Sequence, residues 1–185
     1  MTKTLEIIAG PNGSGKTTFA ETALLRRKNS LYINSYSIAR GLTLNGSEYA
    51  QYEAGRFMLE KIGDCLKNNL SFSFETTMSG KIWASHIRQA KKQGYKVILY
   101  FVFVKSIPLS LQRIRNRVKH GGHDIPKEVV KRRFKRTFSN FMKLYAPMAD
   151  EWYVIDNSAE SVLIAKKKNS KEYIISKKKF SKYFI

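Results

Sequence analysis

The chain has 185 residues, of which 43% are hydrophobic and 12% aromatic, so it holds enough apolar material for one folded domain and too much for a disordered chain. The longest apolar run, residues 97–104, is far shorter than the roughly 20 residues of a membrane-spanning helix. The formal net charge of +20 favours an anionic partner, either a nucleic acid, a membrane surface or a phosphorylated small molecule.

Two features of the sequence lead us to expect a cytoplasmic protein. The opening residues, MTKTLEIIAG, run directly into an apolar strand without the charged leader and cleavage site of a secretory signal. The single cysteine, Cys65, excludes an internal disulfide, which suits a reducing compartment.

Short β-branched runs alternate with stretches of helical periodicity along the chain. The predicted strands are residues 5–10, 30–34, 70–75, 95–104 and 152–156. The predicted helices are residues 17–28, 50–66, 81–93, a segment that stops before Gly121, and a segment from Pro126 to Tyr145. This alternation predicts a three-layer α/β fold: a mostly parallel sheet centred on residues 95–104, with helices on both faces.

The C-terminal part of the chain departs from this alternation. Two apolar runs flank a Lys–Asn–Ser turn, which predicts a β-hairpin over about residues 161–176. The remaining residues, 177–185, are rich in lysine and are predicted to be a frayed basic tail. We therefore expect a single domain over residues 1–176.

The segment GPNGSGKT matches the phosphate-loop pattern G-x-x-x-x-G-K-[ST] and lies between a predicted strand and a predicted helix. Its glycines let backbone N–H groups point at an anion, and the helix N-terminus adds a partial positive charge. The sequence thus predicts a P-loop, kinase-like nucleotide site for ATP or GTP. The predicted contacts are Gly10, Pro11, Asn12, Gly13, Ser14, Gly15, Lys16, Thr17 and Thr18.

A phosphate loop of this type uses Mg²⁺, for which the Thr17 hydroxyl is the expected ligand. An acidic side chain near the end of a neighbouring strand completes such a site. Glu75, which ends the third predicted strand, is the candidate, directly or through water. A surface glutamate that caps a helix is the alternative interpretation.

Residues 105–136 carry eleven lysines and arginines against two acids. Arg113 and Arg117 share one helix face, and Arg132, Arg133 and Arg136 follow the glycine pair at 121–122. Two basic helices joined by a glycine hinge predict a lid over about residues 113–136, which closes on a triphosphate and stabilises the charge of the transferring group. An RNA-binding pair of basic helices, or a solvated basic face, is the alternative.

Five segments together resemble the zeta-toxin-like P-loop kinases. They are GPNGSGKTTFA, SFETTMSG, HIRQAKKQGYKVILYFVFV, GGHDIPKEVVKRRF and EWYVIDNS, and they occur in the family's order from about residue 5 to residue 160. The resemblance implies transfer of the γ-phosphate of ATP or GTP to a hydroxyl of a nucleotide sugar such as UDP-N-acetylglucosamine. It also implies a small antitoxin partner that blocks the nucleotide site.

The resemblance also implies roles for individual residues. Catalytic roles go to Lys16, Glu75, Arg117, and Arg132 or Arg133, and Arg113 is expected at the nucleotide. The expected acceptor-side residues are Asn34, Tyr36, Glu75, Thr76 and Thr77.

Tyr36 departs from the family pattern, in which an aspartate at this position removes the proton from the acceptor hydroxyl. Tyrosine, with a reference pKa of about 10, is a poor base at neutral pH. Three interpretations stay open: a different acceptor, a substitute acid such as Glu48, Glu53 or Glu75, or nucleotide binding with poor transfer. The hypotheses are therefore a small-molecule kinase, a kinase acting on nucleic-acid ends, and a nucleotide-dependent interaction protein with impaired catalysis.

Overall fold

The computed structural model of the protein describes residues 2–24, 31–34, 48–122 and 124–184, with only the backbone for residues 24 and 48–52. The strands are β1 (Thr4–Ala9), β2 (Leu31–Ile33), β3 (Phe72–Thr76), β4 (Lys96–Phe103), β5 (Glu151–Asp156), β6 (Val162–Lys168) and β7 (Lys171–Ile174). Within the described ranges they form one sheet in the order β2-β3-β1-β4-β5-β6-β7.

Helices connect most of these strands. They are α1 (Lys16–Phe19), α2 (Glu48–Lys67), α3 (Trp83–Lys92), α4 (Ile107–Lys119), α5 (Lys127–Asn140), α6 (Ala146–Met148) and α7 (Lys177–Phe184). Wider π turns extend α1 over Ala20–Leu24 and α5 over Phe141–Tyr145. In the part of the chain that is described, no helix combines the length and the apolar character needed to cross a membrane.

The sheet confirms the predicted α/β fold. Strands β2, β3, β1, β4 and β5 pair in parallel, and β4 lies at the centre of the order. Strands β5, β6 and β7 pair antiparallel, which confirms the C-terminal hairpin. Since the first five strands are parallel, their carboxyl ends meet at one edge of the sheet, where ligands bind in such folds.

Apolar side chains on both faces of the sheet explain why helices cover both faces. In β1, Leu5 and Ile7 belong to the larger core, which packs against α2, α3, α5 and α7. Ile8 points the other way, into a smaller core with Ala20 of the α1 extension. The alternation follows from the two-residue period of a strand.

The C-terminal helix α7 corrects one prediction, because residues 177–184 are helical and not a frayed tail. Phe180 and Phe184, four residues apart, lie on the same helix face and are buried in the larger core. The Phe184 ring centroid lies 5.3 Å from that of Phe138 and 5.5 Å from that of Phe103. The lysines dominate the composition of this segment, but the spacing of its aromatics determines its structure.

Replacing Phe184 by alanine tests whether α7 is part of the core. We expect Phe184→Ala to lower the free energy of unfolding by about 3 kcal/mol, because a buried aromatic side chain is lost from a packed cluster. Urea denaturation measures this change. The control is Tyr173→Ala, since Tyr173 is 46% exposed; equal losses in the two variants would show that α7 is not packed as described.

Candidate functional site

The phosphate loop connects the end of β1 to α1, at the carboxyl edge of the sheet. Gly10, Gly13 and Gly15 have φ angles of 145°, 70° and 85°, which side-chain-bearing residues rarely adopt. At Gly10 a Cβ atom would also lie 1.8 Å from the carbonyl oxygen of Val102. The glycines are therefore required both by the backbone conformation and by the close approach of β4.

Two neighbouring elements hold the loop in place. The Ser110 hydroxyl of α4 donates to the carbonyl oxygen of Asn12, at 2.5 Å. Asn157, directly after β5, donates from Nδ2 to the carbonyl oxygen of Ser14, at 2.7 Å. The sequence interpretation did not identify Asn157, although its position at the end of a parallel strand was a usable signal.

The Ser14 side chain lies inside the loop. Its hydroxyl is buried and, among the described residues, has no hydrogen-bond partner. Pro11 closes the other side of the loop, since its carbonyl oxygen accepts a hydrogen bond from Lys16 Nζ at 3.1 Å. This hydrogen bond therefore holds the lysine ammonium against the loop.

Lys16 is almost fully buried, with 7% of its surface exposed. Its Nζ atom lies 3.9 Å from Glu75 Oε1. Burial lowers the pKa of the Lys16 ammonium; the Glu75 carboxylate opposes this effect, and the positive charges of Arg117 and Arg133 lower the pKa further. Both arginines, one from α4 and one from α5, thus act electrostatically on the Lys16 ammonium.

The Glu75 carboxylate accepts hydrogen bonds from three side chains. Thr17 Oγ1 lies 2.9 Å from Oε2 and 3.2 Å from Oε1. The Tyr32 hydroxyl donates to Oε2 at 2.7 Å, and Asn34 Nδ2 donates to the same atom at 3.2 Å. The structure thus brings together Lys16, Thr17, Asn34 and Glu75, which the sequence interpretation had named separately.

Tyr32 was missed at the sequence level because it lies inside a short predicted strand. Burial raises the pKa of the Tyr32 hydroxyl well above its usual value, and the charge of Glu75 and the hydrogen bond to it raise it further. Tyr32 therefore stays protonated and acts as a donor to Glu75. It is not a base.

The arginines of α4 and α5 differ in exposure. Arg117 and Arg133 are half-buried, whereas Arg132 and Arg136 are exposed. Burial lowers the pKa of Arg133, and the adjacent charge of Arg132 adds to this effect. Arg113 Nη2 donates to the carbonyl oxygen of Ser158, at 3.3 Å, and so lies beside the loop after β5.

The remaining residues named from the sequence have local roles. The Thr76 hydroxyl accepts a hydrogen bond from the Met78 backbone N–H, and the Thr77 hydroxyl lies 3.0 Å from Ser79 Oγ. Thr18 is exposed at the start of α1. Tyr36 lies outside the described residues.

A magnesium ion fits the side chains at this site. Mg²⁺ prefers oxygen ligands and is commonly held by one or two protein side chains together with phosphate oxygens. The Thr17 hydroxyl and the Glu75 carboxylate, 2.9 Å apart, provide such a pair.

The chain is similar to a protein family, to a protein of known sequence and to several solved structures. The family model described as Zeta toxin matches residues 1–174. An uncharacterized protein of Haemophilus influenzae is 32% identical over 128 residues, which are 68% of this chain and 88% of that protein.

Several solved structures share the fold, among them the following two. The crystal structure of AvrRxo1-ORF1:-ORF2 with ATP matches with a TM-score of 0.78 and 21% identity, over 99% of this chain and 64% of that chain. The present chain thus spans less than two thirds of that protein. A structure of the PezAT toxin–antitoxin system of Streptococcus pneumoniae matches with a TM-score of 0.63 and 16% identity, over 87% and 70% of the two chains. The match of the family model over nearly the whole chain shows that the protein belongs to the zeta toxin family.

Proposed function

We propose that the protein transfers the γ-phosphoryl group of ATP or GTP to a hydroxyl group of a small molecule, such as a nucleotide sugar of the UDP-N-acetylglucosamine type. The observation that carries the proposal is the contact of Glu75 with both Lys16 and Thr17. The positive charges of Arg117 and Arg133 act on the same lysine. Such an arrangement provides an anion cradle, a pair of metal ligands and two cations for a transferring phosphoryl group.

Nucleotide binding begins with the phosphate loop. Backbone N–H groups between Gly10 and Thr17 cradle the phosphates, and the Lys16 ammonium contacts the outer ones. We assign Arg113, whose guanidinium is held against the carbonyl oxygen of Ser158, to the border of the nucleotide site. Thr17 and Glu75 would hold Mg²⁺, which supplies positive charge to the phosphate oxygens when bound.

The arginines act on the charge that develops during transfer. Negative charge spreads over the oxygens of the moving phosphoryl group, and cations fixed in advance stabilise it without reorganising. Arg117 and Arg133 are half-buried and lower the pKa of Lys16, so we assign this role to them in preference to the exposed Arg132.

Among the described residues, Glu75 is the acid that lies on the acceptor side. Of the acids considered as substitutes, Glu53 accepts a hydrogen bond from Arg56 Nη2 at 2.7 Å, whereas Glu75 lies in the site itself. The side chain of Glu48 lies outside the described residues. We assign Glu75 to the acceptor or the metal, because a loose transition state depends more on cations and alignment than on a strong base.

A small antitoxin is the protein partner that we propose for this site. PezAT is a toxin–antitoxin system, and AvrRxo1-ORF1 was solved together with AvrRxo1-ORF2. By analogy, such a partner would cover the phosphate loop and exclude the nucleotide.

The transfer reaction can be tested with a nucleotide that carries a radiolabelled γ-phosphate. The protein is incubated with Mg²⁺ and either a metabolite extract or RNA oligomers, and Lys16→Met is the control that lacks the phosphate-loop ammonium. We expect label in a small phosphorylated molecule. Label on RNA ends would instead support a nucleic-acid-end kinase, which the net charge of +20 favours. Nucleotide binding without any label would contradict both assignments.

Arg133 is expected to act in transfer more than in nucleotide binding. Arg133→Ala should lower kcat by about 10³-fold, because an arginine at a transferring phosphoryl group contributes on that scale. The measurement is the release of γ-phosphate to the labelled acceptor or to water, together with nucleotide affinity from calorimetry. Arg136→Ala, an exposed arginine on the same helix, is the matched control. Equal losses of kcat would contradict the role of Arg133.

Glu75 is expected to determine the magnesium requirement. Glu75→Gln keeps the shape of the side chain but removes its charge, so we expect the Mg²⁺ concentration for half-maximal transfer to rise by roughly tenfold or more. A magnesium titration at saturating nucleotide measures this change. Glu53→Gln is the control, and a larger shift in that variant would move the metal or acceptor role to Glu53.

A further inference from the structure

A cleft with a lining distinct from the phosphate loop lies beside α7, at the carboxyl ends of β4 and β5. Its volume is about 790 Å³, and its walls come from α7, from the residues after β4 and from the loop after β5. The α7 aromatics belong to the larger core, whereas α1 continues into the smaller one, which places the two helices on different faces. A cleft of this size matches those that hold small ligands of about nucleotide size.

Four lysines and two acids line this cleft, but one lysine and one acid neutralise each other. Lys179 Nζ lies 2.7 Å from Asp156 Oδ2, and Asp156 is buried. The other carboxylate, Glu160, is exposed. The charges left are those of three lysines against one acid, so the cleft is positive overall.

Those three lysines, Lys105, Lys178 and Lys182, are all exposed. None of their ammonium groups forms an ion pair or a side-chain hydrogen bond with a residue in the described ranges. Lys182 Nζ makes a cation–π contact with the ring of Tyr183, at 5.5 Å. Three like charges around one concavity repel each other and raise the local concentration of anions.

The chemistry of the walls favours phosphate groups that carry an organic part. Lysines act as point charges with three donors each, and several of them can surround the oxygens of a phosphate chain. Val162 and the half-buried Tyr183 add apolar and aromatic surface to the same cleft. Such a surface suits a ring or a base attached to the phosphates.

We propose that the α7 cleft is a second anion site, which binds a compact phosphate-bearing ligand of about nucleotide size. The phosphates can belong to a free phosphorylated metabolite or to the end of a nucleic-acid strand. The inference does not rest on the proposed kinase activity, because it uses neither Lys16 nor Glu75. The α7 wall of the cleft lies outside the family match, which ends at residue 174, whereas the walls from β4, β5 and β6 lie within it.

The experiment must separate this cleft from the phosphate loop. Tripolyphosphate is titrated calorimetrically into the full chain carrying Lys16→Met, in which the phosphate loop has lost its ammonium. We expect a remaining binding event that weakens as the salt concentration rises. Absence of any remaining event would overturn the proposal.

Two sets of variants then locate the remaining event. Lys105→Gln, Lys178→Gln and Lys182→Gln together should weaken tripolyphosphate binding by about tenfold or more, since each removed cation loses a charge-assisted contact. The matched control combines Lys61→Gln, Lys67→Gln and Lys92→Gln, exposed lysines of α2 and α3 that do not line the cleft. Equal weakening in both sets would show non-specific attraction and contradict the site.

Other probes define the ligand class and protect the result from folding artefacts. Binding of ATP better than of a 5′-phosphorylated RNA oligomer assigns the site to a free metabolite, and the reverse order assigns it to a strand end. Polyglutamate that binds as tightly as either would contradict the phosphate class.

Thermal melts must show that the cleft variants fold, and Lys182→Glu alone serves as a milder second variant. Because γ-phosphate transfer by the cleft variants is measured separately, loss of the kinase activity and loss of the cleft site are distinguishable.

Discussion

The carboxylate of Glu75 holds the candidate site together. Thr17, at the start of α1, and Tyr32 and Asn34, in and after β2, all direct donors to it within 3.2 Å. A half-buried carboxylate without such donors would be costly, because its charge loses the solvation of water. The hydrogen bonds therefore fix the ends of β2 and β3 against the phosphate loop. Lys16, 3.9 Å from Glu75, completes the group.

The charges around Lys16 explain why this site suits a polyphosphate. Burial already lowers the pKa of Lys16, Arg117 and Arg133 lower it further, and Glu75 opposes them. Around Lys16, the residues that the structure describes thus hold more positive than negative charge before any ligand binds. A nucleotide triphosphate reverses that balance, and its phosphates would raise the pKa of Lys16 by the same electrostatic effect. The repulsion among these cations therefore both destabilises the empty site and gives it its affinity for an anion.

Local sequence signals made the phosphate loop and most helices and strands predictable. The contacts between neighbouring strands could not be predicted in this way. The glycine spacing before Lys16 and the apolar runs of β1 and β4 needed no knowledge of the fold. The role of Tyr32 depends on which strands become neighbours, and nothing in its own segment revealed it. Asn157 had one signal, its position at the end of a parallel strand, but the loop that it contacts is 143 residues away in the chain. The helix α7 was missed for another reason: its lysines are numerous, but two phenylalanines four residues apart determine its packing.

The C-terminal helix is connected to the phosphate loop through the end of β5. Burial alone would raise the pKa of Asp156, but the hydrogen bonds from Lys179 and Ser158 hold it below its usual range. The stability that this carboxylate contributes is therefore present above its unfolded-state pKa and is lost as the pH falls through its folded-state value. Asn157 follows directly and donates to the phosphate loop at the Ser14 carbonyl oxygen. The ion pair between Lys179 and Asp156 is thus one residue away from the contact that holds the phosphate loop. The helix α7 is therefore linked to the candidate site through the end of β5.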